Sequence, residues 1–296
     1  GVPVPNSFFR SCSPQFAWTT FGLREIAHSE RWASTFRLFP PFSAGAHTCA
    51  VLADGTAFCW GKNASGQLGD DSTTDRWLPT PVAGELGVGV LSGVVEISAG
   101  EEHTCAVLDT GSVSCWGLND NGQLGDGTST DRSAPALVVD PSGIGELVDI
   151  SAVTCAHYHS CGLTATGGAF CWGMNALGQL GDGTTQWNYR PVAVVGVGGA
   201  GLLEEATVLR AGGSHTCARL ATGGVLCWGD NYMGQLGDGQ THQACSFGDC
   251  SPVPVPVAEV GGQGALGDIV DLTAGASGSC AIRGDGTAVC WGQGEV

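Results

Sequence analysis

HTCAVLDTGSVSCWGLNDNGQLGD, His103 to Asp126, is one of four near-copies of a single phrase. The others read HTCAVLADGTAFCWGKNASGQLGD from His47 to Asp70, HSCGLTATGGAFCWGMNALGQLGD from His159 to Asp182 and HTCARLATGGVLCWGDNYMGQLGD from His215 to Asp238. A partial fifth copy begins at Ser279. The leading cysteines Cys49, Cys105, Cys161 and Cys217 are 56 residues apart, and the step to Cys280 is 63. A period of this size predicts a repeat architecture, in which each unit buries its faces against the next.

Each phrase opens on a hairpin. Asp109-Thr110-Gly111 is flanked by β-favouring residues, and the other copies place Gly55, Gly167, Gly223 and Gly286 at the same third loop position. A three-residue hairpin loop needs the left-handed conformation there, which glycine adopts without a Cβ clash. Pairing outward from that loop sets Cys49 opposite Cys59, Cys105 opposite Cys115, Cys161 opposite Cys171, Cys217 opposite Cys227 and Cys280 opposite Cys290. Residues directly opposed in antiparallel strands lie within disulfide reach. The same register recurs five times, so five cross-strand disulfides and an oxidising location are expected: extracellular, periplasmic or cell surface. Ten buried free cysteines are the alternative. Zinc on His-x-Cys pairs such as His47 and Cys49 fits less well, because the spacing is unusual for zinc and Gly278 replaces the histidine in the last copy. Cys245 and Cys250 fall in the seven-residue insertion and are expected to close a loop of their own. Cys12 and Cys155 are left over, either paired with each other or with one of them free.

Composition narrows the function. The chain has 296 residues, 49 of them glycine, and 28 acidic against 11 basic side chains, for a net charge of −17. So acidic a surface repels phosphate backbones and anionic lipid, which disfavours nucleic acid and membrane surfaces as partners. With 43% hydrophobic residues it can build a core. No apolar run is long enough for a membrane span.

After the hairpin comes the glycine-rich crossing W-G-x-N-x-x-G-Q-L-G-D, then a short apolar strand after proline (Pro135 to Val139, Pro191 to Val195). A last strand follows at Val148 to Ser151, with counterparts at Val94 to Ser98 and Val208 to Arg210. Four short strands make one propeller blade. Here the chain resembles the regulator-of-chromosome-condensation (RCC1) repeat family. The resemblance rests on Ser98, Ala99, Gly100 and His103, on Trp116, Gly117 and Asn119, and on Gly122 to Gly125, and it extends over residues 43 to 296. The regular cysteine pairs look like the secreted bacterial branch. The resemblance implies an all-β propeller, usually of seven blades, that works through protein–protein contacts. Its members include an exchange factor for a small GTPase and bacterial inhibitors that cap β-lactamases.

Strands three and four of one copy, joined to the hairpin of the next, are expected to give four complete units and leave the first hairpin over. Four to five units of a seven-bladed design predict an incomplete or open arc. Either the sequence is a fragment, or the edges are covered by another chain, by self-association or by the N-terminal segment. Copy three reads as irregular, because Ile150 to Cys161 spans three residues more than Ile97 to Cys105, and the glycine near Cys155 is lost.

Residues 1 to 42 stand outside the repeat and hold seven of the ten phenylalanines. Gly22 to Phe36 could form an amphipathic helix, and no readable signal peptide is present. The segment is either an aromatic cap for a blade edge or a disordered leader.

No constellation points to catalysis, metal or cofactor. His47, His103, His159 and His215 recur in every full copy, whereas a catalytic base should be unique, and they are expected to satisfy buried backbone groups. The Asp-Gly-Thr turns at Asp126 and Asp182 lack the dense ligand set of a calcium loop. Asn63-Ala64-Ser65 matches a glycosylation sequon, but its asparagine is a motif position in every full copy, which points to backbone bonding. Candidate partner-binding residues are the aromatic or unusual side chains at variable positions: Trp77, Trp187, Tyr189, Tyr232 and His242. Local packing between blades is the alternative. The expected function is a non-enzymatic, secreted or surface protein-interaction module, inhibitor-like in one version. The alternatives are a small-GTPase exchange factor and a propeller-scaffold lyase or hydrolase.

Overall fold

In the computed structural model, residues 36–37, 46–242, 245 and 248–293 are described. They form five antiparallel sheets. The first holds β1 (Phe36–Arg37), β2 (His47–Leu52), β3 (Ala57–Gly61) and β4 (Arg76–Pro81). The second holds β5 (Val94–Ala99), β6 (His103–Leu108), β7 (Val113–Gly117) and β8 (Arg132–Leu137), and the third β9 (Ile150–Cys155), β10 (His159–Thr164), β11 (Ala169–Gly173) and β12 (Asn188–Ala193). The fourth holds β13 (Ala206–Ala211), β14 (His215–Leu220), β15 (Val225–Asp230) and β16 (Cys250–Pro256), and the fifth β17 (Ile269–Ala274), β18 (Gly278–Arg283) and β19 (Ala288–Gly292). The first strands of successive sheets touch, β5 on β9, β9 on β13 and β13 on β17, so the sheets follow one another as blades of an open arc.

Each hairpin forms as its loop dictates. Gly111 sits at φ 80°, and Cys105 stands opposite Cys115. All five hairpin pairs are joined as disulfides with Cα atoms 4.1 Å apart. Cys245 is joined to Cys250.

Three expectations are corrected. The proline-bearing strand pairs with its own copy's hairpin, β8 on β7, and starts earlier than predicted. The cause is the crossing loop. Asn119 accepts from Leu124 N–H through Oδ1, donates its side-chain amide to the carbonyls of Thr128 and Thr130, and gives its own backbone N–H to Asp131 Oδ1 at 2.7 Å. These bonds fold the loop back on itself and return the chain beside β7. The prolines are tolerated because the outer strand is bulged there: Gly117 pairs with Arg132 and Cys115 with Ala136. Second, the first hairpin is not left over, since Phe36 pairs with Leu52 and Arg37 with Val51. Third, copy three is regular in register, although Ala156 does replace the glycine of copies two, four and five. Ile150 occupies the place of Val94, not of Ile97, and the inner strand of the second, third, fourth and fifth sheets carries the same register shift near its start. The remainder of the N-terminal segment, with its helix, its cap or leader reading and Cys12, lies outside the described residues.

The core lies between sheets. One cluster joins Val51, Cys59 and Leu68 of the first blade to Val94, Ile97 and Trp116 of the second, and three further clusters repeat the scheme. The Gly-Gln-Leu-Gly leucines Leu68, Leu124, Leu180 and Leu236 are fully buried, each contributing about 1.5–3 kcal/mol. Close approach fixes the glycine after each tryptophan: a Cβ on Gly117, at φ 106°, would stand 2.5 Å from the Glu102 carbonyl oxygen.

Candidate functional site: blade seams and exposed loops

Every seam carries one hydrogen-bond relay. Between the second and third blades, Trp172 Nε1 donates to the Gln123 carbonyl at 2.9 Å, and Ser160 Oγ donates to the same carbonyl at 2.9 Å. His103 Nε2 lies 2.8 Å from Ser160 Oγ. A hydroxyl has one proton to give, and Gln123 receives it, so the imidazole must be the donor and carries its proton on Nε2. His47 meets Thr104 and His159 meets Thr216 in the same way, the hydroxyls donating to the Gln67 and Gln179 carbonyls, and His215 Nε2 lies 2.8 Å from Ser279 Oγ. The histidines therefore bond a hydroxyl of the next blade, not the backbone groups expected from sequence. Burial drives them well below the usual imidazole range, to about 3 for His103 and His159 and about 4 for His47 and His215. They are neutral structural groups, and His47, His103 and His159 are donors.

The other motif residues are equally occupied. Asn63 is fully buried, its amide donating to the carbonyls of Ser72 and Thr74. Asp126 accepts from Thr128 Oγ1 at 2.7 Å and from Arg132 at 2.8 Å. Burial pushes its carboxyl up, but these bonds outweigh burial and hold it below the ordinary carboxylate range. Asp182 accepts from Thr184. Among the described residues, one cluster has metal-ligand proximity, His103, Cys105 and Cys155, but Cys105 is committed to its disulfide.

The candidate partner residues belong to three blades and do not converge on one spot. Trp77, on β4, is 93% exposed and Tyr232, in the crossing after β15, is 73% exposed. Trp187, just before β12, is half exposed. Tyr189 is the β12 counterpart of Trp77. Its carbonyl accepts from Gly127 N–H at 2.9 Å and its ring lies over Gly122, so part of it serves the seam. His242 is a local clamp: its ring meets Asp238 at 2.7 Å, and its backbone N–H donates to Asp249.

One feature escaped the sequence reading. The links between outer and inner strands end in small loops closed by the bridges Ala83–Val90, Val139–Glu146, Val195–Leu202 and Ala258–Ala265. They present Leu86, Ile144, Val197 and Val260 to solvent beside Glu85, Asp140 and Glu259. The signal was an aliphatic residue amid glycines in each link.

The solved structure of yeast RCC1 (Prp20) bound to Kap60 has a TM-score of 0.63 to this chain at 20% identity, covering 83% of this chain and 54% of that one. Human WBSCR16 gives 0.62 at 23% identity, covering 83% and 59%. Both likenesses concern the fold. The E3 ubiquitin-protein ligase HERC2 of Mus musculus is 32% identical over 200 residues, which is 68% of this chain and 4% of that protein. The ultraviolet-B receptor UVR8 of Arabidopsis thaliana is 28% identical over 248 residues, 84% of this chain and 51% of the receptor. The chain thus spans about half of one curated relative and a small part of the other. The family model described as RCC1-like domain matches residues 43–296, and with the repeated seams and blades in view, the chain belongs to the RCC1-like domain family.

Proposed function

We propose that the chain is a protein-interaction module of an oxidising compartment, in which disulfide-stapled blades hold variable aromatic side chains for one protein partner. The observation that carries this reading is the combination of five hairpin disulfides with motif histidines and acids already consumed by seams and turns. A rigid scaffold whose shared histidines, asparagines and aspartates are engaged in seams and turns leaves recognition to the exposed residues that differ between copies, Trp77, Trp187 and Tyr232 first, with Tyr189 and His242 beside them partly held by the scaffold. The net charge of −17 favours a basic partner surface. A secreted, bacterial, inhibitor-like role is the version the cysteine pairs suggest. Apart from Phe36 and Arg37, which pair in the first sheet, residues 1 to 42 are assigned separately from the propeller as a capping or leader segment.

Two measurements test the reading. Intact-mass alkylation of protein from its own host should show at least ten cysteines protected until reduction. Cross-linking in the extracellular or periplasmic fraction should trap a partner that Trp187→Ala or Tyr232→Ala loses. Fourteen free thiols, with accelerated nucleotide release from a small GTPase, would replace this reading by the exchange-factor one.

A further inference from the structure

The seam between the second and third blades differs from the others at one inner-strand position. Ala99, Ala211 and Ala274 end β5, β13 and β17, whereas β9 ends in Cys155. Cys155 is buried and is the free cysteine among the described residues. Its sulfur lies within 4.8 Å of Cys105 Sγ, half of the Cys105–Cys115 disulfide. Cys105 and Cys115 belong to the second blade and Cys155 to the third, and all three sit in one apolar cluster with Trp172. The position is tightly held: Cys155 N–H donates to Ser98 Oγ at 3.0 Å. Ser160 Oγ lies 3.8 Å from Cys105 Sγ and 4.0 Å from Cys155 Sγ. The arrangement is therefore a thiol beside a disulfide, bracketed by hydroxyls, at a boundary between blades.

We propose that Cys155 and the Cys105–Cys115 disulfide form an internal thiol–disulfide exchange site, whose product is a Cys105–Cys155 bond stapling the second blade to the third. Cys155 Sγ, as thiolate, attacks Cys105 Sγ. The Cys105–Cys115 bond breaks and Cys115 leaves as a thiolate, taking up a proton from solvent to replace the one Cys155 gave up. One sulfur–sulfur bond is exchanged for another, with no oxidant or reductant consumed. Burial pushes the Cys155 thiol up to about 12, so the tightly closed seam is slow to react and exchange needs alkaline pH or local opening of the seam. The product differs in what it holds together. Cys105–Cys115 fastens one hairpin, whereas Cys105–Cys155 fastens two repeats.

The test uses the full oxidised chain at pH 8.5 in urea below its unfolding transition. Samples are quenched in acid, alkylated with N-ethylmaleimide and digested with chymotrypsin without reduction. The expected result is a Cys105–Cys155 linked peptide that grows with time while the maleimide moves from Cys155 to Cys115. Cys12→Ser should leave this transfer unchanged, and Cys155→Ala, which restores the alanine of the other seams, should abolish it. Cys115→Ser, treated with oxidised glutathione while folded, should close the Cys105–Cys155 bond directly. A label that stays on Cys155 throughout, a Cys12–Cys155 peptide, or a Cys115→Ser variant that yields only glutathione adducts would each overturn the proposal.

Discussion

Lowering the pH from 7 to 5 should destabilise the propeller severely, and the four seam histidines set the size of the effect. Each is held neutral by burial, with its folded-state value near 3 to 4 against an ordinary 6.5. Below pH 6.5 the unfolded chain binds protons that the folded chain refuses. The stability these histidines contribute is therefore complete above about 6.5 and is lost progressively as pH falls toward 3 to 4. From pH 7 to pH 5 the loss is about 2 kcal/mol per histidine, or about 8 kcal/mol for four. Glu96 acts in the opposite sense. Burial raises its carboxyl to about 7, against the pull of Arg210, so the folded form takes a proton first and recovers about 2 kcal/mol over the same span. The net loss of about 6 kcal/mol is comparable to the whole stability of a typical domain. Urea unfolding followed by tryptophan fluorescence at pH 5, 6, 7 and 8, with disulfides intact, measures it. His103→Gln keeps a donor for Ser160 but removes one titration, and should flatten the net pH slope by about a third. A midpoint that is unchanged or rises between pH 7 and 5 would refute the neutral, donating histidine.

Other outcomes follow from single contacts. Trp172→Phe removes one of the two donors to the buried Gln123 carbonyl and should cost about 0.5–1.5 kcal/mol in urea unfolding. The double substitution Cys161→Ser with Cys171→Ser opens a crosslink of sequence separation 10 and should cost about 3 kcal/mol by the same assay, from the entropy returned to the unfolded chain. Glu205, exposed and at φ 61°, occupies the place of Gly93 in the second blade. Glu205→Gly should raise the melting temperature, with a gain of up to about 1 kcal/mol. Asn63 should stay unmodified in a glycosylating host, with no mass shift on glycosidase treatment, because its amide is buried and spent on Ser72 and Thr74.

The hairpins and their cysteine register were legible because one residue, the loop glycine, fixes a two-residue period on both sides. The blade boundary was not, because the return of the outer strand depends on Asn119 bonding across the crossing to Thr128, Thr130 and Asp131. Aligning copies on the isoleucines misled for copy three, since Ile97 and Ile150 are alike in type but differ in register. The histidine partners were hidden for a different reason: His103 and Ser160 are 57 residues apart and meet only when two units stack. Candidate anchors could be chosen as variable aromatics, but Tyr189 and Trp77, at equivalent positions, differ in exposure because only Tyr189 has a preceding glycine, Gly122, packed against it among the described residues.

The relay has a consequence for how such a chain changes length. One half of each lock, the glutamine carbonyl and the histidine, belongs to one copy, and the other half, the tryptophan and the hydroxyl, belongs to the next. Excising or duplicating any in-frame stretch of 56 residues therefore rejoins matching halves, and exposes no surface that was hidden before. Recombination between copies is structurally silent along most of the chain. It is constrained at two joints: where Cys155 and Ala156 replace alanine and glycine, and where the inserted residues around Cys245 and Cys250 lengthen the step. Those two joints give an otherwise interchangeable array a fixed order.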